Sequence, residues 1–170
     1  MTQQAGIYSA PNVEPYGSIE FSTPRWKGDN AFRCTVTVVS GDQEWAADLW
    51  LMETHAADLI GFFEEVGSGV GAWELPKLWH SDDHEIELAA RRGDLNGEAV
   101  IDIVISVERD GEWRGIPSSL TVLQADATTM ASRLRAFTGI EGRRSWHRGG
   151  GSTAVVAATL FRVVPRRGHS

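Results

Sequence analysis

Cysteine is almost missing from this chain: Cys34 stands alone, so no internal disulfide can staple the fold. A single thiol also fits a reducing compartment, and the expected setting is the cytoplasm. Long apolar runs are missing too. The longest, at 153–164, is far short of the roughly 20 residues a membrane-spanning helix needs. The start, MTQQAGIYSAPNVEPYG, lacks the basic flank and apolar centre of a secretory signal. Phosphate loops are absent as well. The glycines at 67–71 lack a downstream Lys-Ser/Thr, and those at 149–151 open no recognisable helix. With no catalytic signature either, function must be read from the kind of surface the chain presents.

With 170 residues and 42% hydrophobic composition, one domain with a substantial core is expected. The net charge of −7 is unevenly spread. Residues 1–139 carry −12, whereas 140–170 carry +5 through six arginines and one glutamate. An acidic body disfavours non-specific nucleic-acid binding and favours a basic partner. Six arginines without a nucleic-acid-binding motif are a weak signal for phosphate contact.

The strongest folding signal is 98–124. Ala99, Ile101, Ile103, Ile105 and Val107 alternate with wetter residues, and Asp110-Gly111 forms a two-residue turn suited to strand twist. Closing Arg109 on Glu112 sets Ile101 against Leu120, Ile105 against Ile116 and Ala99 against Val122. Pro117 has no amide proton, so its strand is expected at an edge or with a bulge. A second hairpin joins 30–39 to 43–52 and sets Val38 against Trp45, Val36 against Ala47 and Cys34 against Leu49.

The remaining elements follow in order. Residues 1–17 read as a flexible leader and 18–25 as a first strand. Thr54 is the expected N-cap of a helix carrying Leu59, Ile60, Phe63 and Val66, with Gly67 as its stop. Strands at 77–81 and 84–91 turn at Asp82-Asp83. A second helix spans 126–138 and ends at Gly139. A shift of 71 residues puts Leu49 on Leu120, Leu59 on Met130 and Phe63 on Leu134. That weak repeat fits a duplication, but also any strand-then-helix unit on a shared core. The expectation is an α+β domain over 18–139: an antiparallel meander of about seven strands with two amphipathic helices packed on one face. The basic, glycine-rich extension 140–170 could add a strand, dock on a partner or stay mobile.

Four residues, His80, Asp82, Asp83 and His84, suit zinc or manganese by type. A turn at Asp82-Asp83 pairs Trp79 with Ile86, however, and sends the two imidazoles to opposite faces. An Asp-Asp pair is also ordinary turn chemistry, so neither metal nor cofactor is expected. Cys34 lies on an inward strand position between Phe32 and Val36, where a thiol is an inert small hydrophobe. His55 sits at a helix start, which disfavours an imidazolium. By parity, Asp48, Trp50, Glu85, Glu87, Asp102, Glu108 and Trp113 share the outward face of the sheet. Tryptophans among carboxylates on a wet face point to a surface that a partner covers. The bland alternative is that a helix or the tail covers Trp50 and Trp113.

The pattern Trp79, Ser81, Asp83, Leu88, Gly97, Val100, Val104, Trp113, Leu134 and Phe137 resembles a group of small actinobacterial domains of unknown function. It is also similar to immunity proteins of the WapI type. The likeness covers about 60–140 and consists of hydrophobic and turn positions, and the basic tail has no counterpart in it. It implies a non-enzymatic protein that binds a protein partner, such as a basic toxin, through an acidic and aromatic face. The competing expectation is an enzyme or ligand-binding protein with a pocket between helices and sheet, the 80–84 turn or Cys34 at its rim. Oligomeric state is open, and the apolar tail could serve self-association.

Overall fold

The computed structural model describes residues 4–11, 13, 16–28, 30–69 and 76–140. Element order is β1 (Gln4–Tyr8), β2 (Gly17–Lys27), β3 (Ala31–Ser40), β4 (Gln43–Met52), α1 (Glu53–Ser68), β5 (Lys77–His80), β6 (Ile86–Arg92), β7 (Glu98–Arg109), β8 (Glu112–Leu123) and α2 (Gln124–Thr138). The strands make two antiparallel four-stranded sheets, ordered β1-β2-β3-β4 and β5-β6-β7-β8. The α+β class and the two helices are therefore as expected, but one meander of about seven strands is corrected to two sheets of four. Residues 4–8, inside the stretch expected as a leader, supply the extra strand, with Ala5, Gly6 and Ile7 buried.

Both long hairpins close in the expected register. Cys34 faces Leu49 and Val38 faces Trp45 in the first. Ile101 faces Leu120 and Ile105 faces Ile116 in the second. The turns explain why. Asp110 and Gly111 both take positive φ, +56° and +78°, as a type I′ turn requires. At the other turn Gly41 alone does so, at +62°, as in type II′. Pro117 lies on β8, an edge strand, where its missing N–H costs no ladder bond.

The helices start without side-chain caps. Thr54, expected as an N-cap, lies inside the first turn of α1, and loop carbonyls do the capping instead. Glu53 N–H donates to Asn30 O at 2.9 Å, and Gln124 N–H donates to Gly97 O at 2.8 Å. These loops each precede the third strand of a sheet, so the two capping arrangements correspond. Gly69, not Gly67, carries the left-handed C-cap of α1, at φ +58°. Gly67 serves close approach: a Cβ there would meet the Thr128 backbone nitrogen at 2.6 Å. Gly139 ends α2 at φ +69° as expected.

The inner faces of both sheets and of both helices share one buried cluster, from Phe21 and Phe32 through Phe63 to Ile101 and Leu134. Burial of that apolar surface is the main stabilising term. Tryptophan N–H groups are satisfied at its margin. Trp26 Nε1 donates to Thr138 O and Trp79 Nε1 to His55 O, each at 3.1 Å. Among the described residues, no helix is long and apolar enough to cross a membrane. Beyond Ile140, the extension and its expected apolar segment lie outside the described residues.

Candidate functional site: an outer sheet face and a helix–strand corner

The outward residues divide between two sheets. Asp48 and Trp50 lie on the outer face of the first, where both are already engaged. Arg33 Nη2 donates to Asp48 Oδ2 at 2.5 Å, and Thr35 Oγ1 donates to Oδ1 at 3.1 Å. These bonds hold the Asp48 carboxyl below its ordinary range, the Arg33 bond first. Lys27 Nζ sits 4.8 Å from the Trp50 ring centre, and Arg33 Cζ 5.4 Å from it. Two local cations thus lie against this tryptophan.

The second sheet differs. Its register places Leu78, Ala89, Asp102 and Ser119 in one row across the outer face. His80, Glu87, Val104 and Pro117 form the next row. Glu108 and Trp113 face each other nearer the hairpin tip. Trp113 is 65% exposed and Leu78 69%, with Glu87, Asp102 and Ser119 as well as Ala89, Val104 and Pro117 on the rows between them. The charges here have partners as well. Arg91 Nε lies 3.4 Å from Asp102 Oδ2, both side chains being about half exposed. Ser119 Oγ also bonds Asp102, and His84 Nδ1 meets Glu87 Oε1 at 3.0 Å. Leu78 was missed by sequence reading, although the inward parity of Trp79 already turns its neighbour outward.

Glu85 does not belong to this face and is a correction. It is buried, where its Oε2 accepts from Ser81 Oγ at 2.7 Å. Ser81 Oγ in turn accepts the Ile86 N–H at 3.2 Å. The reason is loop length. The β5–β6 connection runs over 81–85 instead of turning tightly at Asp82-Asp83, so Trp79 pairs with Leu88 and His80 with Glu87. Alternation no longer assigns a face inside such a loop.

The same loop overturns the expected divergence of the histidines. His84 takes a left-handed φ of +57° and folds back over His80. The two rings stack 4.2 Å apart at 14°. His80 Nδ1 bonds Ser81 O at 2.9 Å, which assigns the proton to that nitrogen. Asp82 turns the other way: its Oδ2 accepts the Met52 N–H at 2.8 Å, and its Oδ1 lies 2.6 Å from His55 Nδ1. That second approach is not an aligned hydrogen bond. Asp83 stays exposed. Asp82 therefore points away from the stacked histidine pair. Among the described residues, no group of three or more His, Cys, Asp or Glu side chains is arranged to hold a metal ion.

Beside this loop, between α1 and β5, lies a cavity of about 250 Å³. His55, Asp58, Phe62, Lys77, Trp79 and His80 are among its lining residues. Burial pushes the Asp58 carboxyl above its ordinary range, while His55 pulls the other way. Lys77 Nζ is held at 2.8 Å by Glu65. The cavity is smaller than most ligand pockets, which run from about 300 Å³ upward. Cys34 is far from this chemistry: it is buried in β3, and burial pushes its thiol up to about 12. It is protonated and inert at neutral pH.

No family model and no curated protein matches the chain. Among solved structures, the siderocalin Ex-FABP, described as functioning through dual ligand specificities, is similar at 11% identity. The match covers 79% of this chain and 78% of that one, with a TM-score of 0.25. A likeness so slight bears on neither fold nor function here.

Proposed function

We propose that this chain is a non-enzymatic protein-binding domain whose contact surface is the outer face of the β5–β8 sheet. One observation carries the reading: two large apolar side chains, Leu78 and Trp113, stand exposed on one sheet face, with Glu87, Asp102 and Glu108 among them. Exposed aromatics set among polar groups are the anchors that partner surfaces bury. Carboxylates around them steer a positively charged partner and exclude acidic ones. The partner is therefore a basic protein, in the manner of a toxin or nuclease masked by an immunity protein in the cytoplasm. Glu85 is withdrawn from the surface. Asp48 and Trp50, engaged by Arg33 and Lys27, lie outside it.

The experiment starts from basic protein domains selected by display against the wild-type chain. Calorimetric titration should show Trp113→Ala and Asp102→Lys each weakening binding about tenfold or more, with unchanged melting and loss of affinity at high salt. Equal affinity for both variants would reject this face.

A second reading rests on the α1–β5 cavity, where His55, Asp58 and His80 converge. A small polar ligand there would raise the melting temperature in a ligand screen. Asp58→Asn should abolish that rise without touching protein binding.

A further inference from the structure

Along α1, His55, Asp58, Phe62 and Glu65 follow one another at steps of three and four residues, so they share one stripe of the helix. That stripe forms one wall of the α1–β5 cavity, and β5 forms the other. Most of the polar groups in the walls are already engaged. The Trp79 indole N–H is taken up by His55 O at 3.1 Å. The Lys77 ammonium is held by Glu65 Oε2 at 2.8 Å. His80 keeps its proton on Nδ1 for Ser81 O, which leaves its Nε2 as a lone-pair acceptor. Asp58 is the exception. Among the described residues no hydrogen bond or ion pair meets its carboxylate, and burial disfavours its charged form. A cationic donor placed there would offset that burial.

The cavity also joins the outer face of the β5–β8 sheet. Leu78 and His80 are among its lining residues, and each also begins a row of that face. Leu78 leads to Ala89, Asp102 and Ser119, and His80 to Glu87, Val104 and Pro117. β5 is an edge strand of four residues, so a partner lying on the face reaches the cavity by passing one strand. A space of about 250 Å³ is small for a free ligand but has room for one side chain.

We propose that the α1–β5 cavity receives an arginine side chain of the basic partner, with its guanidinium on the Asp58 carboxylate and its stem against Leu78. This anchor rests on the protein-binding reading and adds to it the side chain that the partner must present. Arginine suits the site better than lysine. Its planar fork carries five N–H donors, bonds a carboxylate through two of them at once, and is more weakly hydrated than an ammonium. Arginines seated in pockets are also frequent anchors of protein interfaces. A free-ligand pocket and an arginine anchor differ on one point. The first leaves protein binding indifferent to Asp58, and the second makes binding depend on it.

Two measurements on the full chain test this. Nα-acetyl-arginine amide, added to the isotope-labelled chain, should shift the Asp58 and Leu78 amides and the Trp79 indole saturably. Its citrulline counterpart carries a neutral urea in place of the guanidinium, and should bind at least about tenfold more weakly. Asp58→Asn keeps the side-chain size, and should erase that difference without lowering the melting temperature. In calorimetry against a display-selected basic domain, Asp58→Asn should weaken binding about tenfold, as Trp113→Ala does. Equal binding of the two probes, or no saturable shift from either, would overturn the proposal. So would full affinity of Asp58→Asn for a partner that Trp113→Ala weakens, an outcome that leaves the outer face standing. Wild-type affinity in both Trp113→Ala and Asp102→Lys rejects the face itself, and the anchor falls with it.

Discussion

The two halves of this molecule are built alike and dressed differently. Shifted by 71 residues, β4 and α1 fall on the end of β8 and on α2, with the same alternation of exposed and buried positions along both strands. Each half is four antiparallel strands followed at once by a helix, and each helix start is capped by the loop before its third strand. The outer faces diverge. In the first half Arg33 and Lys27 occupy Asp48 and Trp50. In the second, Trp113 and Leu78 stand open near Glu108 and Asp102. Core positions answer to a shared packing requirement, whereas outer positions are free to take on separate tasks.

The largest test of this symmetry lies in the core. Leu49→Ala and Leu120→Ala remove equivalent side chains, both almost fully buried. Each should cost about 2–5 kcal/mol in urea unfolding, with a single transition because the halves share one core. Two separate transitions would break the account of a common core.

Next comes an asymmetry between the helices. Gly67 of α1 touches the backbone of Thr128 in α2, while its counterpart, Thr138, holds a side chain. Gly67→Ala should destabilise by about 1–3 kcal/mol, because helix backbone rather than a flexible side-chain tip must move. An unchanged melting temperature would show that the helices have slack.

Cys34 gives a pH-dependent contrast with Ile101, which pairs with Leu120 as Cys34 pairs with Leu49. Its thiol is raised from 9.0 to about 12 by burial first, and then by the Asp48 charge. Unfolded, it loses its proton near its ordinary value; folded, it keeps it. The contribution is therefore fully present below about pH 9, and is lost as pH rises toward 12. The loss approaches 1.4 kcal/mol per pH unit for a single group. Cys34→Val should flatten that part of the stability curve, and an identical slope would assign it to other groups.

The smallest expected effect separates the outer tryptophans. Trp113→Ala should change stability by less than about 0.5 kcal/mol, since little packs on it. Trp50→Ala should cost about 1 kcal/mol through its lost cation contacts. Equal costs in thermal melts would erase the distinction between the faces.

Local physics decided what could be read in advance. Both long hairpins were legible because a two-residue turn plus alternation fixes register. Both helices were legible from their apolar spacing. The division into two sheets was not, since alternation shows that a strand has an inner face without naming the sheet it joins. β1 escaped notice because Ala5 and Ile7 make a short pattern close to prolines. The 81–85 loop was misread because the left-handed His84 lengthens it. With that error went the outward placement of Glu85 and the divergence of His80 from His84. On the surface, four of the seven positions expected to meet a partner share one face. Asp48 and Trp50 lie on the other sheet, and Glu85 is buried.

The most direct test of the central claim is one titration followed by amide and indole chemical shifts, with a display-selected basic domain added to the wild-type chain. The account predicts perturbations along Leu78, Glu87, Asp102, Glu108 and the Trp113 indole, with Asp48 and the Trp50 indole silent. Shifts centred on Asp48 and Trp50, with Trp113 unmoved, would contradict it.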